Sequence, residues 1–527
     1  MYSRMAELIL EAKDAGDWIY RGEGAANLIL SYTGSSPCFV RYVVHYILLV
    51  TSFNVGYHAL KVMYFVPDAS VGKVLRVQKI KKSGISFETL SSTLSVHECL
   101  LWKEDCDLLS APTREIAEHL YVQHVMRPLL GSSHVDSGIR VLVSRDFLEA
   151  LGKNILSQRP SWRVDDADVN THCDYALLMS DHSVFPQGNY LHFQPKCGLL
   201  PCSRYISEEH IIKRSMTRFK LHQSLKLLQK KIPQLSRYDP LDMFSGSKER
   251  VLKSIKDLFS TPQNNFRVFL NGSLVFGSLG GGKYITNVHN DKSFEDELKS
   301  VIEAADGTRT ACFLELVSEA VFRSGLLNRL LEVQKLDVFD IEGAIHAYYD
   351  VVSQPCVICK RLGEDKLSGR YTSLHSLPLH ESLKIVREYL ISATAKDLSI
   401  MISFRTRERG DPKSLYNVIF HESTGQSFDY KVSFIDLDMK PLEKMLYYCE
   451  LDQKILHCYT KIMETLKPPE NSAKVEEKTS YQEKSIAEDG VMEEGTNWKF
   501  STLHKSDVST TWRFSNLCQG KVLVHTA

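Results

Sequence analysis

The segment FDYKVSFIDLDMKPLEKM, residues 428–445, carries the pattern that decides the fold. Its apolar residues 430–435 predict a β-strand. The strand ends in Asp436 and Asp438, a lysine follows, and helical spacing begins at Pro441. An apolar strand that ends in carboxylates beside a lysine is a common way to present a magnesium ligand next to a phosphate-binding group. Capping of the strand end and turn formation would explain the aspartates equally well.

Strands and helices are unevenly distributed outside this segment. Strand patterns fall at 27–32, 72–79, 139–143, 176–179, 266–276 and 399–404, and helical patterns fall at 5–15, 112–130, 208–231, 241–259, 383–394 and 441–463. This distribution predicts an α+β chain with a smaller and a larger lobe. We place the N-terminal lobe at residues 1–181 and the C-terminal lobe at 182–467. The polar and charged segment 468–527 is expected to be a disordered tail.

Residues 41–71 stand out as an atypical insertion in the first lobe. Their apolar run looks at first like a membrane span, which needs about 18–20 mostly apolar residues. Arg41, His45 and Asn54 are among the polar residues that interrupt it. We therefore interpret the segment as an insertion on or beside a strand pair and expect no membrane span.

The charge balance limits the kinds of partner. The 527 residues contain 64 Lys and Arg against 64 Asp and Glu, so no global field draws the chain to nucleic acid or to a membrane. The acidic residues near the start do not fit a secretory signal. The 12 cysteines are scattered apart from one close pair, which favours a reducing compartment, cytosol or nucleus. We expect a monomer that has neither a nucleic-acid nor a membrane partner.

The close cysteine pair predicts a metal site. Cys356 and Cys359 are separated by two residues, with His346 before them and His375 after them. Two thiolates and two imidazoles complete a tetrahedral Zn²⁺ site without an open position, so the zinc would be structural. His380 is a rival for the fourth ligand, and ordinary core cysteines with surface histidines are the alternative explanation.

Two glycine-containing stretches were weighed as phosphate-binding loops. Residues 277–283 match most of a Walker loop, but Tyr284 cannot supply the small hydroxyl that holds magnesium, so we predict a mobile loop. Gly22 and Gly24 precede a strand, as in kinase glycine-rich loops, where backbone amides approach phosphates closely. Arg76 on the next strand could supply the accompanying cation, although two glycines between elements are more often just a turn.

A basic face is predicted after the decisive strand. Lys440, Lys444 and Tyr448 follow one another at a spacing of four, so they share one side of a helix. A solvated basic face is the usual explanation of such spacing. A ligand that bears several phosphates would require cations of this kind.

Taken together, several strings resemble the plant inositol-pentakisphosphate 2-kinases. The most specific matches are DWIYRGEGAANLIL (17–30), VGKVLRVQK (71–79), YDPLDMFSGSKERVLKSIKDLF (238–259), DIEGAIHAYYDVVSQPCVICK (340–360), ATAKDLSIMISF (393–404) and the segment 428–445. The resemblance implies a two-lobed inositol-phosphate kinase fold, with an antiparallel sheet in the smaller lobe and a zinc site in the larger, mixed lobe. It also implies transfer of phosphate from ATP, with Mg²⁺, to the 2-hydroxyl of inositol 1,3,4,5,6-pentakisphosphate, which gives inositol hexakisphosphate (phytic acid).

The same resemblance implies roles for individual residues. The ATP contacts would be Gly24, Ala25, Ala26, Asn27, Arg76, Ser180, Asp181, His182, Arg267 and Asp436. The substrate contacts would be Arg163, Lys196, Lys226, Asn264, Asp397, Lys440, Lys444 and Tyr448. Within these sets, Asp397 would be the general base and Asp436 the magnesium ligand. The family zinc ligands match His346, Cys356, Cys359 and His375.

The chain departs from the family pattern at defined places. Gln194 stands where a phosphate-binding lysine is expected, Ala25 where a glycine is usual, and Lys444 where an arginine is usual. Losing one charge-assisted contact costs about 1.5–3 kcal/mol, so Gln194 predicts weakened activity rather than none. The alternative hypothesis is therefore an impaired family member that binds inositol phosphate or zinc without efficient turnover.

Overall fold

The structure is a computed structural model. It describes residues 9–24, 27–34, 41–53, 56–68, 73–82, 93–182, 189–278, 291–362, 371–408, 410–411 and 413–466. The predicted tail 468–527 and most of the predicted loop 277–292 lie outside these residues. Two main sheets, one in the first part of the chain and one in the second, form the framework of the described part. The predicted α+β class is confirmed at this level.

The first main sheet is mixed. Its strands are β1 (Ile9–Leu10), β2 (Trp18–Glu23), β3 (Asn27–Tyr32), β6 (Lys73–Lys81), β7 (Ile139–Val143), β8 (Ala167–Val169) and β9 (Tyr175–Ser180), in the order β1-β7-β9-β6-β3-β2, with β8 paired to β6. The prediction of an antiparallel sheet is wrong in one respect, because β1 pairs parallel with β7. β1 has only two residues, and they lie within the stretch 5–15 for which the apolar spacing predicts a helix. The strand forms because the distant strand β7 offers it a hydrogen-bonding partner.

The insertion forms a hairpin. Strands β4 (Arg41–Phe53) and β5 (Gly56–Asp68) pair antiparallel along their full length as a separate two-stranded sheet. The insertion therefore supplies both strands of its own pair. Among the described residues, no helix combines the length and the apolar character that crossing a membrane demands.

The second main sheet is antiparallel throughout. Its strands are β10 (Asn189–Phe193), β11 (Phe266–Leu270), β12 (Ser273–Phe276), β13 (Ser399–Arg407), β14 (Asn417–His421) and β15 (Gln426–Ile435), in the order β12-β11-β10-β13-β15-β14. The predicted strand 266–276 is in fact a hairpin. Asn271 and Gly272 turn the chain between its halves, and both have a positive φ.

The helices of the described part surround these sheets. They are α1 (Val96–Leu101), α2 (Cys106–Leu109), α3 (Arg114–Tyr121), α4 (Arg127–Leu130), α5 (Arg145–Ile155), α6 (Ser161–Asp166), α7 (Arg218–Leu228), α8 (Pro240–Met243), α9 (Lys248–Ser260), α10 (Asp291–Glu297), α11 (Arg309–Ser324), α12 (Leu326–Gln334), α13 (Asp340–Val351), α14 (Val357–Leu362), α15 (Thr372–His375), α16 (Leu379–Asp397) and α17 (Lys444–Leu466). One turn of π-helix joins α3 to α4. The predicted helix 208–231 consists of a 3₁₀ segment, Glu208–Arg214, followed by α7.

Two hydrophobic cores hold the elements in place. In the smaller core, Phe147, Leu148 and Leu151 of α5 pack against the apolar face of the first sheet and are fully buried. The larger core joins the second sheet to the helices of the second part, and it also includes Leu101 of α1, Tyr121 of α3 and Leu130 of α4. Burial of a Leu or Phe side chain contributes about 1.5–3 kcal/mol, so each sheet is a stable platform for the loops at its edges.

Candidate active site

A cavity of about 580 Å³, called the larger cavity below, lies between the two main sheets. Strands β3, β6 and β9 line it on one side, and β10, β13 and β15 line it on the other. Pockets for small molecules and cofactors usually measure about 300–1,000 Å³. The larger cavity therefore has the size and the position of a ligand cleft between two lobes.

The turn between β2 and β3 is fixed by a buried ionic network. The amide of Gly24 donates to the carbonyl of Asn27 at 2.9 Å, and Lys79 Nζ donates to the carbonyl of Gly24 at 2.7 Å. Lys79 and Arg159 also bind the carboxylate of Glu23, which is 1% exposed. Although burial raises it, these two cations hold the pKa of Glu23 below its usual range. The network keeps the glycine turn at the mouth of the larger cavity.

Arg76 connects the first sheet to the end of β15. With its side-chain oxygen turned toward the guanidinium, Asn27 accepts hydrogen bonds from Arg76 Nη2 at 2.7 Å and Nε at 3.2 Å. Arg76 also forms an ion pair with Asp438 across the cavity. A guanidinium held by two partners is ready to bind phosphate oxygens in a forked geometry.

Asp436 has a strained backbone and an accessible carboxylate. Its φ of 63° lies in the left-handed region, which non-glycine residues adopt rarely and often at functional sites. Ser399 Oγ donates to its Oδ2 at 2.7 Å, while the side chain remains 58% exposed. The hydrogen bond from Ser399 thus orients one oxygen of the Asp436 carboxylate, and the carboxylate still lines the larger cavity. Such a carboxylate is suited to bind a divalent cation that prefers oxygen ligands.

The segment that joins the two sheets is tied to both of them. The amide of Ser180 donates to Asp136 Oδ2 at 2.9 Å, and the hydroxyl of Ser403 donates to the carbonyl of His182. His182 Nδ1 lies 3.3 Å from Ser433 Oγ. Ser180, His182 and the buried Asp181 all line the larger cavity, as expected for a hinge that contacts a ligand.

A second cavity, of about 390 Å³ and called the smaller cavity below, is lined by charged side chains of both signs, with five lysine and arginine residues against four aspartates. Its walls include Lys196, Arg218, His222, Lys226 and Lys396. Several separate cations around one cavity are what a ligand with several phosphates requires. Lys213, Arg218 and Lys396 already pair with aspartates of the same cavity, which leaves Lys196 and Lys226 as the cations best placed to meet a phosphate.

Asp397 lies where the two cavities meet, because it lines both of them. It is the last residue of α16, where a carboxylate is unfavourable beside the negative end of the helix dipole. Lys440 Nζ donates to Asp397 Oδ2 at 3.0 Å and compensates this charge. The Asp397 side chain is 63% exposed, so its other oxygen can reach a bound molecule.

Lys196 approaches the same junction from β10. It has a φ of 61°, and Gln334 holds its carbonyl with a hydrogen bond of 2.9 Å. Its Nζ donates to Gln194 Oε1 at 2.6 Å. Burial lowers the pKa of Lys196 to about 8, against the opposing effect of Asp397. A bound phosphate would raise this pKa again, because negative charge beside the amine favours its ammonium form.

The structure brings together most of the predicted site residues. Those that line the larger cavity are Gly24, Asn27, Arg76, Ser180, Asp181, His182, Asp397, Asp436 and Lys440. Those that line the smaller cavity are Lys196, Lys226, Asp397 and Tyr448. Ala25 and Ala26 lie outside the described residues.

Four predicted residues do not line either cavity in the described part of the chain. They are Arg163, Asn264, Arg267 and Lys444. Arg163 stacks on Trp162, with 4.1 Å from its guanidinium carbon to the ring centroid, and Lys444 lies over the ring of Tyr447 at 4.9 Å. Arg267 donates through Nε to the carbonyl of Ser278 at 2.6 Å. Their assignment as ligand contacts stays a prediction.

Other cavity residues escaped the sequence reasoning. Arg218, His222 and Lys396 line the smaller cavity, and Arg21 lines the larger one. Arg218, His222 and Lys226 follow at a spacing of four, so they share one face of α7. That spacing was a readable signal, whereas nothing local in the sequence distinguishes Lys396 or Arg21.

The predicted zinc ligands converge at one point away from the two cavities. One donor atom each from His346, Cys356, Cys359 and His375 lies within 4.8 Å of all the others. His346 comes from α13, Cys359 from α14 and His375 from α15. The rival His380 is outside this cluster, with Nε2 3.5 Å from Glu381 Oε1.

The donor geometry fits a tetrahedral metal. His346 Nδ1 lies 3.2 Å from His375 Nε2, and Cys359 Sγ lies 3.3 Å from each of these nitrogens. Zn–N bonds of about 2.0–2.1 Å and Zn–S bonds of about 2.3 Å in a tetrahedron require separations of roughly this size. Asp350 Oδ1 lies 2.7 Å from the other nitrogen of His375 and orients the ring, as carboxylates commonly do beside zinc-binding histidines.

Comparison with known proteins agrees with this architecture. Residues 20–454 match the family model described as inositol-pentakisphosphate 2-kinase. The chain is 50% identical over 465 residues to inositol-pentakisphosphate 2-kinase of Arabidopsis thaliana, covering 86% of this chain and 96% of that protein. It is 47% identical over 461 residues to inositol-pentakisphosphate 2-kinase IPK1 of Oryza sativa subsp. indica, with the same coverage, and 30% identical over 438 residues to the Danio rerio enzyme, covering 69% of this chain and 88% of that protein. The chain therefore belongs to the inositol-pentakisphosphate 2-kinase family.

Proposed function

We propose that the protein transfers the terminal phosphate of ATP to the 2-hydroxyl of inositol 1,3,4,5,6-pentakisphosphate and so forms inositol hexakisphosphate. The observation that carries this proposal is the position of Asp397 between a nucleotide-sized cavity and a cavity lined by Lys196 and Lys226. A phosphotransferase must place donor and acceptor on either side of one reacting point. The names of the relatives, at 47–50% identity, support the choice of acceptor.

ATP would occupy the larger cavity. The Gly24 turn and the guanidinium of Arg76 would contact its phosphates, and the segment 180–182 would contact the rest of the nucleotide. Asp436 would hold Mg²⁺, which neutralises charge on the phosphates. Nucleotide phosphates would also replace Asp438 as the partner of Arg76, because both cannot occupy the same guanidinium edge.

The inositol phosphate would occupy the smaller cavity. Lys196 and Lys226 would each bind a phosphate. Tyr448 of α17 would line the side of the cavity that this helix forms. Asp397 would accept the proton of the 2-hydroxyl as that oxygen attacks the terminal phosphorus. Lys440 would fix the orientation of the carboxylate through the 3.0 Å hydrogen bond.

The Cys₂His₂ cluster would hold a structural Zn²⁺. Its four protein donors leave no position open for a substrate, and neither cavity is lined by any of them.

The chain would divide into two lobes at residues 181–182. These residues lie between β9, the last strand of the first sheet, and β10, the first strand of the second sheet.

A single-turnover experiment tests the function. With enzyme in excess over labelled ATP, we expect label to appear in inositol hexakisphosphate when the pentakisphosphate is present, and not when it is omitted. Tight binding of the pentakisphosphate without labelled product would contradict the proposal. It would favour instead a family member that binds its ligand without turnover.

Gln194 provides a graded test of the junction between the two cavities, because it lines the larger cavity and its Oε1 accepts from Lys196, which lines the smaller one. Replacing it by lysine, as the family pattern has it, adds a second cation beside Lys196. We expect Q194K to lower the KM for inositol pentakisphosphate by about tenfold, since one charge-assisted hydrogen bond contributes about 1.5–3 kcal/mol. The like charge should at the same time lower the stability of the ligand-free protein, which a thermal melt measures.

The matched control is Q194M, which removes the amide but adds no charge. It should not lower the KM. An equal change in KM for Q194K and Q194M would show that loss of the hydrogen bond, and not the added charge, is responsible.

A further inference from the structure

A buried ring nitrogen of His192 stands out beside the larger cavity. His192 is on β10, directly opposite Met401 of β13, so the two side chains are on the same face of the second sheet. Met401 lines the larger cavity. The His192 side chain is 14% exposed, and no described residue forms a hydrogen bond with its buried Nε2. Because a buried polar atom without a partner costs stability, this nitrogen needs a physical explanation.

The same nitrogen lies close to the carboxylate that follows β15. His192 Nε2 is 4.0 Å from Oδ2 of Asp436, beyond hydrogen-bonding distance. Strand β13 lies between β10 and β15, which brings together two residues that are far apart in the sequence. Bonds from a metal ion to an imidazole nitrogen and to a carboxylate oxygen are each about 2.0–2.2 Å long. One ion can therefore contact both atoms across this gap, with only a small rotation of either side chain.

The surroundings of the two side chains favour an ion that carries anionic ligands of its own. Arg267 lies directly opposite His192 on β11, and Lys196 lies four residues farther along the chain. Both are cations, so they repel a bare metal ion and favour one that arrives with the phosphates of a nucleotide. The Asp436 carboxylate is 58% exposed and lines the larger cavity, so such phosphates can approach the ion from the cavity side.

We propose that His192 is a ligand, together with Asp436, of the divalent ion that accompanies the nucleotide, and that its nitrogen makes the site favour a first-row transition ion over Mg²⁺. Mg²⁺ prefers a shell of oxygen ligands, whereas imidazole nitrogen suits transition ions. The neutral ring binds through the lone pair of Nε2. The inference rests on the proposed function for the presence of an ion at Asp436, and it adds the second protein ligand and the metal preference.

A positioning role for His192 makes different predictions. The hydroxyl of Ser399 already orients the Asp436 carboxylate through a hydrogen bond of 2.7 Å. A histidine that only supported this orientation would place no nitrogen on the metal and would leave the preference between Mg²⁺ and transition ions unchanged. These two properties therefore distinguish a metal ligand from a positioning residue.

Electron spin-echo spectroscopy of Mn²⁺ tests the ligand directly. Mn²⁺ is the probe because it accepts the oxygen ligands of Mg²⁺ and is paramagnetic. The sample is the full chain with its zinc and an ATP analogue in which a methylene group replaces the oxygen between the β and γ phosphorus atoms. We expect the parent to show the modulation of a nitrogen nucleus bonded to Mn²⁺. H192E, which offers an oxygen ligand instead, should not show it.

Competition between Mn²⁺ and Mg²⁺ measures the metal preference of the same complex. With free Mn²⁺ followed by its paramagnetic signal, we expect the ratio of the Mg²⁺ to the Mn²⁺ dissociation constant to be about tenfold larger in the parent than in H192E. If H192E proves unstable in a thermal melt, H192Q serves in its place. H192Q should lack the nitrogen signal and bind Mn²⁺ about tenfold more weakly than the parent.

His457, an exposed histidine on α17, provides the control. H457Q should keep both the nitrogen signal and the metal preference of the parent. A parent without the nitrogen signal, or a signal that His192 variants retain, would overturn the inference.

D436N separates the inference from the proposed position of the ion. If D436N loses Mn²⁺ while the His192 variants match the parent, the ion binds at Asp436 and only the role of His192 is wrong. Because the analogue cannot donate its terminal phosphate, the measurement is independent of the transfer assay. Transfer without a nitrogen signal from His192 overturns the inference alone, and the signal without transfer overturns the proposed reaction alone.

Discussion

Replacing Asp397 by asparagine is expected to lower the single-turnover rate of phosphate transfer by roughly 10²–10⁴-fold, the usual contribution of a positioned general base. Asparagine keeps the size of the side chain and an oxygen that can accept from Lys440. It cannot accept the proton of the attacking hydroxyl. The loss should appear in the chemical step, while inositol pentakisphosphate still binds.

The location of Asp397 explains why so large an effect is expected. A carboxylate at the end of α16 is unfavourable beside the helix dipole, and hydrogen bonding to Lys440 only partly compensates it. The side chain is 63% exposed at the junction of the two cavities, so it has no role in packing the core. A charged group kept in such a position is more readily explained by catalysis than by stability.

Asp296 is a suitable control because it is an aspartate on α10 whose side chain is 67% exposed and lines neither cavity. D296N should leave the transfer rate unchanged. If D397N bound inositol pentakisphosphate normally and transferred phosphate at the parental rate, Asp397 would be excluded as the base. A melting temperature equal to that of the parent would confirm that the variant is folded.

Several charged groups around the two cavities already have partners within the protein. Arg76 binds Asp438 across the larger cavity, Lys440 binds Asp397, and Lys196 donates to Gln194. Each of these contacts occupies a group to which we assign a ligand. If ATP and the inositol phosphate bind as proposed, they would exchange these internal partners for phosphate oxygens, and selectivity would depend on the difference between the two sets of contacts.

Local sequence was sufficient for features that depend on spacing. The cluster of two cysteines and two histidines follows from their positions in the sequence, and the structure places His375, not His380, within it. Strands such as 139–143 appear at the predicted bounds because apolar residues and turn signals coincide there. The strand before Asp436 was equally readable.

Features that depend on distant contacts could not be predicted in this way. The two-residue strand β1 exists because β7 offers it a parallel partner. The ion pair of Lys396 with Asp337 and the orientation of His222 both depend on how α7, α16 and α17 surround a cavity. The spacing of residues 218, 222 and 226 indicates a common face, but only the fold shows that this face borders the smaller cavity.

Replacing Cys359 by serine is expected to abolish zinc binding and to lower the melting temperature by about 20 °C or more. Structural Zn²⁺ contributes folding free energy directly, with apparent values of about 10–16 kcal/mol in small zinc peptides, and about 1 kcal/mol shifts the melting temperature of a domain by about 2–4 °C. The cluster joins α13, α14 and α15, and its His346 is fully buried. Without the metal, this buried imidazole and the two thiols lose the charge that holds them together.

Metal analysis and thermal melts of the parent, C359S and C106S separate this role from a general effect of losing a thiol. Cys106 is an exposed free cysteine on α2, so C106S should keep about one zinc per chain and the parental melting temperature. Equal zinc content in C359S and the parent would contradict the assignment of the site.

The four donors leave no open position and line neither cavity. C359S should therefore lose transfer activity only in proportion to the protein that unfolds, and the fraction that remains folded should keep the parental KM. A zinc that acted in catalysis would instead change the rate at temperatures where the variant is fully folded.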